Sequence, residues 1–153
     1  MKIEIITAKN FRSFGRVIEY PNKHKKGRTR NLWRIVVTDP NAKGWRIAYL
    51  ILRDKMLNRL ERHPNTFESF DPMSGKSLFW AAPKNQPQKL RFFILDKPVI
   101  LKKGVWHGLI SLTNEAEIKI TENAKVTCQY YPLPKPFKRK IHNEILSLKR
   151  FRI

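Results

Sequence analysis

A chain of 153 residues suffices for one domain with a buried core, and 41% hydrophobic with 11% aromatic residues predicts a folded chain rather than a disordered one. One cysteine, Cys128, excludes an intrachain disulfide framework and makes a reducing cytoplasm the expected setting. The formal net charge of +20 is concentrated: residues 21–34 and 135–153 each contribute +6, so 33 residues supply +12 of it.

The opening, MKIEIITAKNF, lacks the apolar core of a signal peptide, and no stretch reaches membrane-spanning length, so a soluble protein with no membrane partner is expected. In chain order the predicted strands are KIEIIT, RVIEY, LWRIVVT, GWRIAYLIL, SLFWAA, LRFFIL, PVILK, VWHGLISL, AEIKIT and KVTCQYY. Turn signals separate them at Pro21, Asp39-Pro40-Asn41, Asp71-Pro72, Ser74-Gly75, Pro83 to Pro87, Lys103-Gly104 and Asn114. Many short strands with few amphipathic helices between them predict an all-β sandwich or barrel.

Two segments stand apart. In ILRDKMLNRLERH, Leu52, Met56 and Leu60 recur every four residues, as in a helix. Read as a strand, the same stretch puts Leu57, Arg59, Glu61 and His63 on one face. KIHNEILSLKRF reads as a short C-terminal helix after the spacer PLPKPFKRK. The expected division is a β-barrel domain over 1–134 and a basic linker and helix over 135–153. The two basic blocks read as solvated surface that could attract nucleic acid.

Within ERHPNTFESFDPMSG, Glu61, His63 and Glu68 fall at i, i+2 and i+7. Glu61 and His63 would leave one sheet face together, and the turn at His63-Pro64-Asn65 could return Glu68 to the same place. Far downstream, His107 follows the Gly104 turn inside an apolar strand. Two imidazoles with one or two carboxylates make a ligand set for a divalent metal such as Zn, Ni, Mn or Fe. The plain alternative is a turn histidine at His63 and a hydrogen-bonded core histidine at His107. The four tryptophans, with Phe79, Phe92 and Phe93, are expected in the core or at a dimer contact rather than as base-stacking platforms. Cys128, in an apolar run, is expected to be a buried inert thiol.

The pattern Glu61-x-His63-x4-Glu68-x6-Gly75 resembles the first cupin motif, with glutamate in place of its first histidine. Gly104-x-x-His107 resembles the second, although Lys102 and Ser111 stand where proline and asparagine are usual. Three ordered stretches are similar to the ureidoglycolate lyase family: Phe11-x-x-Phe14-Gly15-x-Val17-Ile18-Glu19; Leu60-Glu61-Arg62-His63-Pro64 with Phe70-x-Pro72-Met73-x-Gly75; and Gly104-Val105-Trp106-His107. The departures are Gly108-Leu109 in place of a second histidine and proline, Thr121-Glu122 in place of Asp-Arg, and Glu68 where relatives often carry glutamine.

The resemblance implies a cupin-type jelly-roll barrel, a homodimer, and a C–N lyase that releases urea and glyoxylate from the small anionic substrate ureidoglycolate. For that chemistry the expected arrangement is a divalent metal on His63, Glu68 and His107, with Glu61 a fourth ligand or the base, the alternative being a metal-free acid–base cluster. Glu61, His63 and His107 are then the catalytic candidates, and Arg59 and Trp106 the substrate-binding ones. The rival readings are a cupin with another metal-assisted reaction on a small carboxylate or sugar acid, a basic nucleic-acid-binding cupin, and a barrel that only binds ligands.

Overall fold

The structure, a computed structural model, describes residues 2–20, 31 and 33–138. Among these, two sheets face each other and one short helix closes the end. The first sheet orders its strands β1 (Ile3–Ile5), β7 (Arg91–Ile94), β6 (Ser77–Ala82), β9 (Trp106–Ser111), β4 (Met56–Arg62) and β11 (Gln129–Lys138). The second runs β2 (Gly15–Val17), β8 (Val99–Leu101), β5 (Glu68–Ser74), β10 (Ala116–Glu122) and β3 (Arg46–Leu52). The pairings are antiparallel except β1 with β7, and the crossovers between sheets match the expected all-β jelly roll.

Period-2 alternation sends one set of side chains between the sheets. There Phe11, Phe14, Phe70, Phe79 and Phe93 meet, with the Phe11–Phe93 and Phe70–Phe79 rings edge-on at 5.3 and 5.2 Å. The outer face of the first sheet carries a second cluster of Leu60, Leu78, Trp80, Trp106 and Ile110. β11 covers it, Phe137 sitting 4.5 Å from the Trp80 ring. Pro132, Pro134 and Pro136 are tolerated in β11 because an edge strand need not donate on its free side.

Several expectations change. Residues 51–63 hold no helix: β4 is a strand, and tertiary pairing with β9 and β11 overrides the fourfold apolar spacing. Glu68–Ser74, read as loop with a break at Asp71-Pro72, is strand β5, and the ladder to β10 is irregular between Glu117 and Ile118, beside Pro72. LWRIVVT forms no strand over residues 33–38; the Arg16 guanidinium, rather than a ladder, takes the Val36 carbonyl at 2.7 Å. An unforeseen helix α1 (Ala8–Phe11) is held by a capping box in which the Thr7 side chain and Asn10 exchange hydrogen bonds.

The last strand starts at Gln129, not Lys125, and runs through Lys138, past the expected start of the linker at 135. The expected C-terminal helix and most of both basic blocks lie outside the described residues. Trp33 and Trp45 are 81% and 70% exposed, not core.

Candidate active site

Glu61 is the penultimate residue of β4, and His63 lies one residue past its end. Pro64-Asn65 turns the chain from the first sheet to the second, where Glu68 opens β5. His107 is the second residue of β9, directly opposite Glu61, and the Gly104 N–H donates to the His63 carbonyl at 2.8 Å. Strand register thus brings together residues written 46 positions apart (61 to 107).

The resulting cluster is tight and mostly dry. Glu68 Oε2 lies 3.2 Å from His63 Nε2 and 3.1 Å from His107 Nε2, and Glu61 Oε1 lies 3.6 Å from His107 Nε2. Relative exposure is 1% for His107, 6% for His63 and 5% for Glu68. Phe70 meets the His107 ring edge-on and Phe79 lies parallel to it, which shields the buried His63, Glu68 and His107 from bulk water, while the Glu61 side chain stays 40% exposed.

Burial opposes charge on each group, and the neighbours win. The desolvation that would push Glu68 upward is outweighed by the charge and hydrogen bonding of His107 and His63, and its pKa falls to about 2. Desolvation would strip His107 of its proton, yet Glu68 and Glu61 raise its pKa to about 10. His63 is raised for the same reason, chiefly by Glu68 against desolvation. Glu61 is lowered, first by the His107 imidazole beside it. Without a metal, protons on the imidazoles balance the carboxylates.

The donor set fits a divalent cation. His107 Nδ1 lies 3.1 Å from the Val105 carbonyl and His63 Nδ1 3.3 Å from the Thr127 carbonyl. A carbonyl only accepts, so Nδ1–H donates there and a neutral ring presents the Nε2 lone pair to the carboxylates. Glu68 Oε2 and His107 Nε2 are buried without a well-aligned hydrogen-bond partner, as expected of atoms positioned for an ion. Ligand atoms of Glu61, His63 and His107 lie within 4.8 Å of one another, and so do those of His63, Glu68 and Glu122.

Glu122 was read from the sequence only as a departure. It ends β10 opposite Glu68, Arg46 donates twice to its Oε1 (3.0 and 2.7 Å), and its Oε2 is buried and unpartnered. The available signal was the alternation Ala116, Ile118, Ile120, Glu122, which continues an inward-facing row into a carboxylate.

The other candidates separate. Arg59 lines a cavity of about 500 Å³ that also reaches Glu61 and His107, and its guanidinium lies 4.3 Å over the Tyr130 ring. Trp106 does not join the cluster: adjacent strand residues face opposite ways, so with His107 inward it packs in the outer cluster, donating to the Lys84 carbonyl at 3.0 Å. Cys128 is exposed rather than buried, its sulfur 3.6 Å from His63 Nδ1.

Residues 1–139 match the family model described as ureidoglycolate lyase. No curated protein matches the chain. Among solved structures, an oxalate decarboxylase of Bacillus subtilis, described with Mn(II) centres, is 17% identical with a TM-score of 0.46, the match covering 60% of this chain and 24% of that one. Vicilin from Solanum lycopersicum (tomato) is 19% identical with a TM-score of 0.45, covering 57% of this chain and 26% of that one. The chain thus spans about a quarter of the length of the solved chains it matches.

Proposed function

The chain belongs to the ureidoglycolate lyase family, and from that premise we propose that it cleaves the C–N bond of ureidoglycolate, releasing urea and glyoxylate in the breakdown of purine and allantoin nitrogen. The observation that carries the reading is the meeting of Glu61 and His107, cross-strand partners, at a cavity that Arg59 also lines.

Ureidoglycolate bears its hydroxyl and its departing nitrogen on the same carbon. Glu61, whose carboxyl is held below the usual carboxylate range beside His107, accepts the hydroxyl proton at a carboxylate oxygen. The freed oxygen pair closes the carbonyl while the C–N bond breaks and nitrogen keeps its electron pair. That nitrogen then takes the proton from Glu61, a weak base that gives it up readily. Arg59 presents a planar guanidinium fork to the substrate carboxylate. His63, Glu68 and His107 would hold a divalent metal (Zn, Ni, Mn or Fe). Such an ion, when bound, polarises the developing oxyanion and grips the carboxylate.

Elemental analysis of the purified protein, followed by glyoxylate release before and after chelation, tests both parts. The expected result is a bound divalent ion, turnover of ureidoglycolate, and loss of turnover that added metal restores. Undiminished turnover by stripped protein would leave the cluster as an acid–base group, and no glyoxylate under any metal would end the lyase assignment. A cytoplasmic homodimer is part of the same proposal. Exposed Ile47, Tyr49 and Ile51 along β3, with Trp45 just before it, support the dimer, and sedimentation equilibrium measures it.

A further inference from the structure

Two groups of ligand atoms meet at His63. One joins it to Glu61 and His107, the other to Glu68 and Glu122. Their surroundings differ. Glu61 is partly exposed and lines the cavity, whereas His63, Glu68 and Glu122 are all buried. The buried atoms left without a hydrogen-bond partner include Glu68 Oε2, His107 Nε2 and Glu122 Oε2, one from each of three strands.

Strand register explains how Glu122 comes to be there and why only one of its oxygens is held. It ends β10 between Glu68 of β5 and Arg46 of β3, paired in register with both. Two carboxylates directly opposite each other repel, and burial removes the water that would screen them. Arg46 answers from one side only: its Nε and Nη2 both donate to Glu122 Oε1, at 3.0 and 2.7 Å. With neutral imidazoles, one guanidinium offsets one of the two buried carboxylates, and the other calls for a further cation. An outer partner that fixes one oxygen and leaves the second bare is the usual support of a metal-ligating carboxylate.

We propose that Glu122 ligates the ion together with His63, Glu68 and His107, and that Glu61 stays off the metal as the base. The proposal rests on the reading that His63, Glu68 and His107 hold a divalent cation. It moves the fourth ligand from β4, where the cupin-like pattern has it, to the end of β10. Glu61 then keeps its carboxylate for the substrate proton at the cavity. Arg46 is a positioning residue, acting on the ion through Glu122.

Calorimetric titration of the stripped full chain with Mn²⁺ compares the wild type with Glu122→Gln, Glu61→Gln and Arg46→Gln, each variant checked by thermal melting. Glutamine keeps an oxygen but loses the charge, so Glu122→Gln should lower affinity about 10- to 100-fold. Glu61→Gln should weaken binding less and still lose glyoxylate release. Visible absorption of the Co²⁺-loaded protein separates a ligand from a charged neighbour, because its bands report the number and kind of donors. Glu122→Ala should shift those bands, and Glu61→Gln should leave them in place. Unchanged bands in Glu122→Ala, or a larger loss of affinity in Glu61→Gln than in Glu122→Gln, overturns the proposal and leaves the three-ligand site standing. If the wild type takes up neither Mn²⁺ nor Co²⁺, both fall. Should the Glu122 variants fail to fold, Arg46→Gln decides: an affinity about tenfold lower with shifted bands supports the proposal, and wild-type affinity and bands overturn it.

Discussion

His107 concentrates the conflict from which this site is made. Its burial argues for a neutral ring, while Glu68 and Glu61 hold a proton on it up to about pH 10. In metal-free protein that raised affinity stabilises the fold fully below about pH 6.5 and is lost as pH rises toward 10. Glu68 acts in the opposite sense: its contribution is present above its ordinary value of 4.5 and is lost as pH falls toward 2. Thermal melts of stripped protein should therefore peak between about pH 4.5 and 6.5. A metal needs the neutral ring, so adding it at pH 7 should release protons and should raise stability most on the alkaline side. Calorimetry in two buffers of different ionisation enthalpy counts those protons; a count of zero would mean that the imidazoles are not the ligands. Glu122→Gln tests the residue missed in the sequence. Its buried oxygen faces Glu68 and His63, so the substitution should lower divalent-ion affinity about 10- to 100-fold, read by calorimetry. The pairing Glu61-x-His63 was legible because two residues apart on a strand share a face whatever the partner strands are. Glu122 was not, because only register with β5 sets it opposite Glu68.

Among the elements, β5 shows how a ladder absorbs what the sequence presents as a break. Pro72 cannot donate a backbone hydrogen bond, and the register with β10 shifts beside it, between Glu117 and Ile118. β5 survives because Phe70 is buried between the sheets and Ser69 and Glu68 pair on both sides, with β8 and β10. Gly75, the last position of the cupin-like pattern, then turns the chain into β6 with φ of +69°. A side chain there would be strained and its Cβ driven into the Glu115 carbonyl and the Ala116 backbone. Gly75→Ala should cost about 2 to 4 kcal/mol in urea unfolding. A change within a few tenths would show that this turn tolerates other conformations. The strands from Arg46 to Leu52 and from Ser77 to Ser111 were legible from apolar runs bounded by turn residues. β4 was ambiguous because fourfold spacing and alternation coexist in it, and only its neighbours decide between them.

For the molecule as a whole, the charge of +20 and the barrel are separable. β11 runs to Lys138, and Phe137 packs on Trp80, so a cut at 134 would uncover the outer cluster. Removing 139–153 takes away five Lys/Arg and Glu144 and leaves that contact intact. If the tail grips polyanions, this truncation should abolish retention on nucleic acid and leave glyoxylate release unchanged. Binding by the full chain should weaken with salt at a log–log slope of about −0.9 per phosphate engaged on duplex DNA. A slope near zero would leave the basic tail without a nucleic-acid role. By itself the sequence determined the all-β class, turns such as Ser74-Gly75 and Lys103-Gly104 but not the break at Asp71-Pro72, and the residue types of a metal-capable set, because these follow from period-2 patterning, turn chemistry and ligand chemistry over a few neighbouring residues. Tertiary structure alone decided that Glu122 faces Glu68 and that Leu50 and Leu109 border a hollow. Those outcomes depend on register and on the space between two sheets, and both arise from strands far apart in the chain.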